Sequence, residues 1–303
     1  MEKIISYINN PLKIIKFLGS RGYLKWMDDV TYLRLVYKAE FGKALDIFSA
    51  KSYNEKLQWL KLFNRKQYYP SLVDKYEVRK YISQKIGNDY LIPLASPFIW
   101  ENPNDICFDD LPEQFVLKCT HGSGCNIICT NKNDLNIKAT RKKMSKWMRK
   151  NWFWFGREWP YKNVKPKIIC EQYLEEEPGV DINNYKVMCF NGQPKLIQLI
   201  IGIFSNNPTQ DFYDINWEKT TICQSGYKNS ENFTPKPQSF NEMIDLSRIL
   251  SEGMPHVRID WYDIRGKLYF GEITFFDSAG FCSFDDYNDD LLLGSWIDLS
   301  EIE

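Results

Sequence analysis

A chain of 303 residues with 44% apolar and 26% charged side chains can bury a substantial core, and its length admits one large domain or two to three smaller ones. Lysine plus arginine balance aspartate plus glutamate at 39 each, so no global field selects nucleic acid as a partner. No apolar run reaches the ~20 residues of a membrane-spanning helix, and eight cysteines with no Cys-x-x-Cys pair and no preceding signal peptide are expected as reduced packing residues of a cytoplasmic protein.

The first 70 or so residues read as helical. From Leu12 to Met27 apolar residues mix with Lys13, Lys16, Arg21 and Lys25 and no acid, a composition suited to peripheral contact with a membrane surface. Gly19 and Gly22 favour a packed helical hairpin there over one continuous helix. Tyr32, Leu33, Leu35, Val36 and Tyr37 keep helical spacing, and Ser52-Tyr53-Asn54-Glu55 is a capping box ahead of Leu57, Leu60 and Leu62. The apolar spacing from Leu72 to Ile86 predicts an amphipathic helix with Asp74-Lys75 near its start, followed by a short buried strand over Tyr90 to Leu94.

Phe115 to Lys118 and Asn126 to Cys129 predict a hairpin around His121-Gly122-Ser123-Gly124. Glycine frees backbone amides to point at phosphate oxygens, so an apolar strand ending in lysine and such a loop is suited to a polyphosphate. The spacing matches neither the Walker nor the dinucleotide pattern, and alone it describes an ordinary strand-to-strand turn.

Charge is asymmetric along the chain: Lys138 to Lys167 holds eleven basic residues and one acid, Glu158, whereas Asp277 to Glu303 holds eight acids and no base. A basic helix over Lys138 to Arg149, with Met144, Trp147 and Met148 inward, explains part of the first stretch as a solvated face; an anionic glycan ranks second and RNA third. Trp152 to Gly156 reads as a loop, and Lys167 to Leu174 as a strand running into the linker Glu175 to Gly179.

Beta structure dominates the rest. Tyr185 to Phe190 and Pro194 to Ile201 flank Asn191-Gly192, a hairpin signal, with Phe212-Tyr213-Asp214 following. Ser225 to Pro237 reads as loop, Phe240 to Leu250 as helix, and Val257 to Tyr262 with Lys267 to Phe275 as a second hairpin turning at Arg265-Gly266. Carboxylates on those last strands, Asp260 and Glu272, are suited to Mg²⁺ bridging phosphate oxygens. Zinc is not expected, since His121 and His256 are the only histidines and Cys119, Cys125 and Cys129 match no common ligand spacing.

In chain order, Asp-Lys, a strand lysine with a glycine loop, a strand ending Glu-Gln-Tyr-Leu, and Arg-x-Asp paired with Glu-x-Thr resemble the ATP-grasp superfamily. Leu57-Gln58-Trp59-Leu60-Lys61, Val73-Asp74-Lys75-Tyr76, Phe115 to Asn126, Asn184-Tyr185-Lys186, Asp214 to Glu218 and His256 to Phe275 look like the TupA-like ATP-grasp family over roughly residues 50 to 300. The resemblance implies an α+β ATP-grasp fold, with two α+β subdomains enclosing ATP (71–174 with the glycine loop, 175–303 with the metal site) and a helical N-terminal region (1–70).

It further implies a carboxylate-amine ligase using ATP and Mg²⁺, with a sugar acid or glycan conjugate and an amine as partners, in bacterial surface-polysaccharide or teichuronopeptide synthesis. Lys75, Lys118 and Lys186 would meet the nucleotide, and His121, Gly122, Ser123 and Gly124 would fold over its phosphates. Glu171, Gln172, Tyr173 and Leu174 would line the adenine. Asp260, Glu272 and Thr274 would hold the metal, and Arg258, with Lys118, would act on the transferred phosphoryl group. Thr274 departs from the superfamily's usual Asn, and the ribose position near Asn184 lacks the usual acid, leaving Glu177 or Asp181. A sugar kinase and a non-catalytic glycan-binding protein are the alternatives to the ligase.

Overall fold

The computed structural model describes residues 12–175, 182–202, 207–300 and 302. The basic N-terminal stretch forms α1 (Lys13–Ser20), then a turn through Gly22 in a left-handed conformation, then α2 (Asp29–Phe41) capped by the Asp28 side chain. In α3 (Tyr53–Phe63) the capping box is complete: Ser52 Oγ accepts from Glu55 N at 3.3 Å and the Glu55 carboxylate accepts from Ser52 N at 3.1 Å. Such a cap contributes about 1 kcal/mol.

The single helix expected over Leu72 to Ile86 is two, α4 (Tyr69–Val73) and α5 (Val78–Ile86). Asp74 breaks it, its Oδ1 accepting from Tyr76 N at 2.8 Å and Glu77 N at 3.0 Å, a local alternative to the helical ladder. The break turns the amide of Lys75 outward to donate to Thr120 O at 3.0 Å.

Two antiparallel sheets follow. The smaller has β1 (Phe115–Cys119) between β2 (Asn126–Cys129) and β3 (Ile168–Gln172), with α6 (Ile137–Met148) burying Met144 in the same core. The Trp152 to Gly156 loop contains one helical turn, α7 (Phe153–Gly156). The larger sheet has the order β6-β5-β4-β7-β8, from β4 (Asn184–Phe190), β5 (Gln193–Ile201), β6 (Thr209–Asp214), β7 (His256–Ile264) and β8 (Lys267–Thr274). Both of its tight hairpins place two successive residues at positive φ, Asn191 (48°) and Gly192 (73°), Arg265 (52°) and Gly266 (81°), the pairing that matches strand twist. Helices α8 (Phe240–Leu250) and α9 (Tyr287–Ser295) complete the chain.

The segment Tyr90 to Ala95 stitches the sheets together. Phe270 N donates to Tyr90 O at 2.7 Å on the larger sheet, while Gln172 N donates to Pro93 O at 2.9 Å and Ala95 N to Cys170 O at 2.8 Å on the smaller. Packing groups the chain by surface rather than by order: Tyr53, Leu57, Leu60, Tyr69 and Ile82 from α3 to α5 share a core with the larger sheet, whereas Tyr32, Leu33 and Val36 of α2 pack with Ala279 and Phe281.

His256 is a buried member of the larger core; its Nδ1 lies 2.9 Å from Cys189 O and its Nε2 3.0 Å from Tyr53 Oη. A carbonyl only accepts, so Nδ1 carries the proton and Nε2 accepts from Tyr53. Burial lowers the imidazole pKa from 6.5 to about 4. Above pH 6.5 the unfolded chain also holds a neutral ring, so His256 adds no pH dependence there. As pH falls from 6.5 towards 4 the unfolded state takes up a proton that the fold refuses, and stability is lost across that window, by up to roughly 3 kcal/mol. Thermal melts from pH 7 to 4 should show this decline, and His256→Gln should flatten it.

Candidate active site

The pairing register of the larger sheet assembles one polar patch. Lys186 on β4 stands opposite Asp260 on β7, and Asp260 opposite Glu272 on β8, with Arg258 opposite Thr274 one step along. Directly opposed residues share a sheet face, as do residues two apart on a strand, so all five project together. A bulge sits between Asp260 and Trp261, where Gly271 leaves room: a Cβ there would stand 3.0 Å from Asp260 O.

Arg258 is the hub. Its Nε donates to Asp260 Oδ1 at 2.7 Å and its Nη2 to Asp260 Oδ2 at 2.9 Å; Nη2 also reaches Thr274 Oγ1 at 3.4 Å and Glu272 Oε1 at 3.5 Å, and Nη1 donates to Asp277. Lys186 Nζ lies 3.7 Å from Asp260 and Lys75 Nζ 2.7 Å from Glu272. Burial alone would raise the Glu272 carboxyl, but Lys75 and Arg258 outweigh it and hold the group below the usual carboxylate range.

On the smaller sheet, alternate residues of β1 enter the core, leaving Val116 and Lys118 on the other face. Glu171 pairs opposite Val116 and so shares that face, and its carboxylate meets Lys118 Nζ at 2.5 Å and Arg79 at 3.6 Å. Arg79 lies in the first turn of α5, four residues after Lys75, and that basic spacing is its only signal in the sequence.

Lys75 joins the halves. Its backbone is pinned to Thr120 at the foot of the glycine loop, Thr120 Oγ1 donating to Asp74 Oδ2 at 2.9 Å, while its ammonium reaches across to Glu272. Tyr262 lies in the same space: burial raises its phenol, and Glu272, Asp260 and Glu171 add to the rise. The Lys75–Glu272 ion pair therefore ties the loop side of the smaller sheet to the polar patch of the larger.

In the loop, the N–H groups of Gly122, Ser123 and Gly124 find no acceptor among the described residues. The His121 side chain turns inward, its Nε2 3.2 Å from Trp147 O, and burial lowers its pKa, so the loop's contribution is its backbone and not an imidazolium. Gly122 rests on an indole: a Cβ there would stand 1.9 Å from Trp152 Nε1, whereas one at Gly124 would meet nothing within 4 Å. Gly122→Ala is expected to displace the loop and weaken ATP binding by roughly 10-fold, while Gly124→Ala is expected to cost only the ~1–2 kcal/mol of its left-handed backbone. Isothermal titration with ATP alongside melting curves separates the two.

The run Glu171 to Leu174 closes β3. The backbone N–H of Gln172 is engaged by Pro93 O, so it is not available to a base. A hollow of about 830 Å³ opens where β3 ends, lined by Leu94, Ala95, Glu113, Gln172 and Tyr173 among others; it lies at the Phe115 end of the sheet and includes none of the carboxylates of the larger sheet. Asn184 Oδ1 is buried without a partner among the described residues, two positions from Lys186 on the same face. Glu177 and Asp181 lie outside the described residues.

Asp277, Tyr161 and Tyr262 carry no distinguishing signal in the sequence. Asp277 has no periodic signal because it lies past the end of β8, and the two tyrosines are indistinguishable in sequence from the other sixteen of the chain's 18.

An antiparallel sheet bearing a glycine loop and a lysine, together with a second antiparallel sheet bearing Arg-x-Asp and Glu-x-Thr, defines an ATP-grasp architecture. The particular family follows from the sequence: the TupA-like ATP-grasp pattern matches residues 55–298, and the chain belongs to that family. Among solved structures, D-alanine–D-alanine ligase from Bacillus anthracis complexed with ATP is 13% identical at a TM-score of 0.41, covering 67% of this chain and 55% of its own. The Helicobacter pylori D-alanine–D-alanine ligase is 13% identical at 0.40, with coverage of 75% and 61%. The ATP-grasp ligase PsnB, complexed with minimal precursor, Mg and ADP, is 10% identical at 0.37, with coverage of 84% and 64%. The chain thus spans 55% to 64% of the length of these structures. No curated protein matches the sequence.

Proposed function

We propose that the protein is an ATP-dependent carboxylate-amine ligase that makes an amide through an acyl phosphate. The observation that carries this reading is the position of Lys75, with its backbone on the phosphate loop and its ammonium on Glu272. Lys75, Lys186 and Arg258 face Asp260, Glu272 and Asp277, a balance of three cations and three anions, and Lys118 faces Glu171. Incoming phosphates compete for the lysines, and each lysine drawn onto phosphate leaves a carboxylate behind.

Those carboxylates fit Mg²⁺. Asp260, Glu272 and Thr274 present hard oxygen donors around one point, which Arg258 Nη2 now approaches. Among the described residues no three Asp, Glu, His or Cys side chains form a complete cage, so phosphate and water would supply the remaining positions, the usual manner of Mg²⁺ binding. When bound, the ion offsets charge on the phosphates. The chain's own part is electrostatic: Lys118 and Lys75 steady the phosphates, the free amides of Gly122 to Gly124 donate to them, and Arg258 faces the phosphoryl group as it passes to the substrate carboxylate. The unpartnered Asn184 Oδ1 suits a ribose hydroxyl, and the Gln172 carbonyl, rather than its N–H, suits the base.

The substrates in this reading are a sugar acid or glycan conjugate of the cell surface and an amine, in the cytoplasm, where ATP is available. No helix of the described residues is long and apolar enough to cross a membrane. The exposed Ile14, Phe17, Tyr23 and Trp26 of the basic N-terminal stretch support peripheral contact with the inner membrane surface. Purified protein with ATP, Mg²⁺ and paired acids and amines should release ADP and phosphate only when both substrates are present. ADP without free phosphate in the presence of a sugar would replace the ligase by a kinase, and absence of ATP binding would leave a glycan-binding protein.

A further inference from the structure

The motif Leu57-Gln58-Trp59-Leu60-Lys61 plays no part in nucleotide or metal binding, yet its polar members are buried beside the site. Lys61 is fully buried, its Nζ donating to Gln58 Oε1 at 2.8 Å and to Ala279 O at 2.6 Å, while Gln58 Nε2 donates to Gly280 O at 2.5 Å. What they hold is a turn of three successive left-handed residues, Ser278 (φ 49°), Ala279 (φ 55°) and Gly280 (φ 66°). Left-handed backbone costs roughly 1–2 kcal/mol per non-glycine residue and persists only where its surroundings impose it. The turn begins at Asp277, the partner of Arg258.

A strap from Trp152 to Tyr161 presses on that turn from outside. It starts beneath Gly122 of the phosphate loop, and at Gly156 a Cβ would stand 2.6 Å from Ala279 Cβ and 3.4 Å from Glu158 Oε1, so the turn and the Glu158 carboxylate flank the same glycine. Glu158 is the single acid between Lys138 and Lys167. Asp260, Glu272, Asp277 and Glu171 are each ion-paired. The half-buried Glu158 carboxylate accepts no hydrogen bond and has no ion pair within 4 Å among the described residues, because Lys61, the cation that attracts it, directs its donors at Ala279 and Gln58. Tyr161 closes the strap, its phenol raised by burial first and by Glu158, Glu272 and Asp260 after it.

We propose that Glu158 is the catalytic residue that takes the proton from the acceptor amine as it attacks the acyl phosphate, on the wall shaped by Lys61, Gln58 and the left-handed turn. This rests on the ligase reading. In the step, the amine nitrogen forms a C–N bond to the acyl carbon, the bond from that carbon to the bridging oxygen breaks and inorganic phosphate departs with the electron pair, and the proton lost by nitrogen goes to the Glu158 carboxylate. Burial pushes the Glu158 carboxyl up, against the pull of Lys61 and with a further push from Asp277, which suits proton uptake near neutral pH.

The test is Glu158→Gln in the full chain, assayed with ATP, Mg²⁺ and a panel of hexuronic acids, each offered either hydroxylamine or an amino acid as acceptor. Hydroxylamine is a strong, weakly basic nucleophile that needs no base. The variant is expected to form hydroxamate within threefold of wild type while amide formation falls by about 100-fold or more, with Glu158→Asp intermediate; the loss of the charge facing buried Lys61 lowers the melting temperature without changing this ratio. Amide formation within threefold of wild type overturns the assignment, as does an equal loss of hydroxamate and amide, which moves Glu158 to the ATP half-reaction. If wild type forms neither product with any acid, the ligase reading itself fails.

Discussion

Asp260→Asn is expected to lower acid- and amine-dependent ADP release by about 10²–10³-fold, the loss seen when one preorganised electrostatic contact is removed from a reacting centre. The substitution keeps the shape of the side chain but replaces one oxygen with an amide donor. Asp260 is 1% exposed and receives both Nε and Nη2 of Arg258, so that donor would face another donor with no water to intervene. Losing a partner of a buried ion pair often costs 3–5 kcal/mol. Arg258 keeps Asp277 and Glu272, however, so the fold should survive with a lowered melting temperature. Turnover, Mg²⁺-dependent ATP binding and a melting curve on one preparation check this, and undiminished turnover would remove Asp260 from the site.

The second large effect is expected from Lys75→Met, which keeps the length of the side chain and removes its charge. ATP affinity should fall by about 10- to 100-fold, the 1.5–3 kcal/mol of a charge-assisted hydrogen bond. The loss should appear in KM for ATP more than in kcat, because Lys75 sits at the foot of the phosphate loop while Arg258 faces the transfer. The variant also removes the 2.7 Å contact between the Lys75 segment and β8. Glu272, released from the first of the cations that hold its pKa down, should then titrate closer to its ordinary range. ATP titration by calorimetry reads the first effect; an affinity within twofold of wild type would show that Lys75 serves the ligand-free protein alone.

Elements with strong local signals were legible in the chain. Asn-Gly and Arg-Gly between apolar runs correspond to hairpins, since those dipeptides accept the two positive φ values such turns require. The apolar run Phe115 to Lys118 and the segment Val257 to Tyr262 before the Arg-Gly turn correspond to strands. The helix expected across Leu72 to Ile86 is broken in two because periodicity does not register a side chain that caps from within, as Asp74 does. No periodic signal marked Asp277, whose partner Arg258 is 19 residues away, and Lys75 meets Glu272 across a separation of 197; both contacts exist only after folding.

The sequence by itself determined the chemistry available: which segments are strands, where a glycine loop follows a lysine, and that cations and carboxylates occur in an order shared with a known family. Strand alternation and turn preference act over two to four residues, and that range suffices for such features. Only the tertiary structure decided that Lys186, Asp260 and Glu272 form one row, that Lys75 spans both sheets, and that Glu158 stands without a direct partner beside a left-handed turn. Register between strands far apart in the chain is set by burial of whole sheet faces, a sum over many residues that no single segment contains.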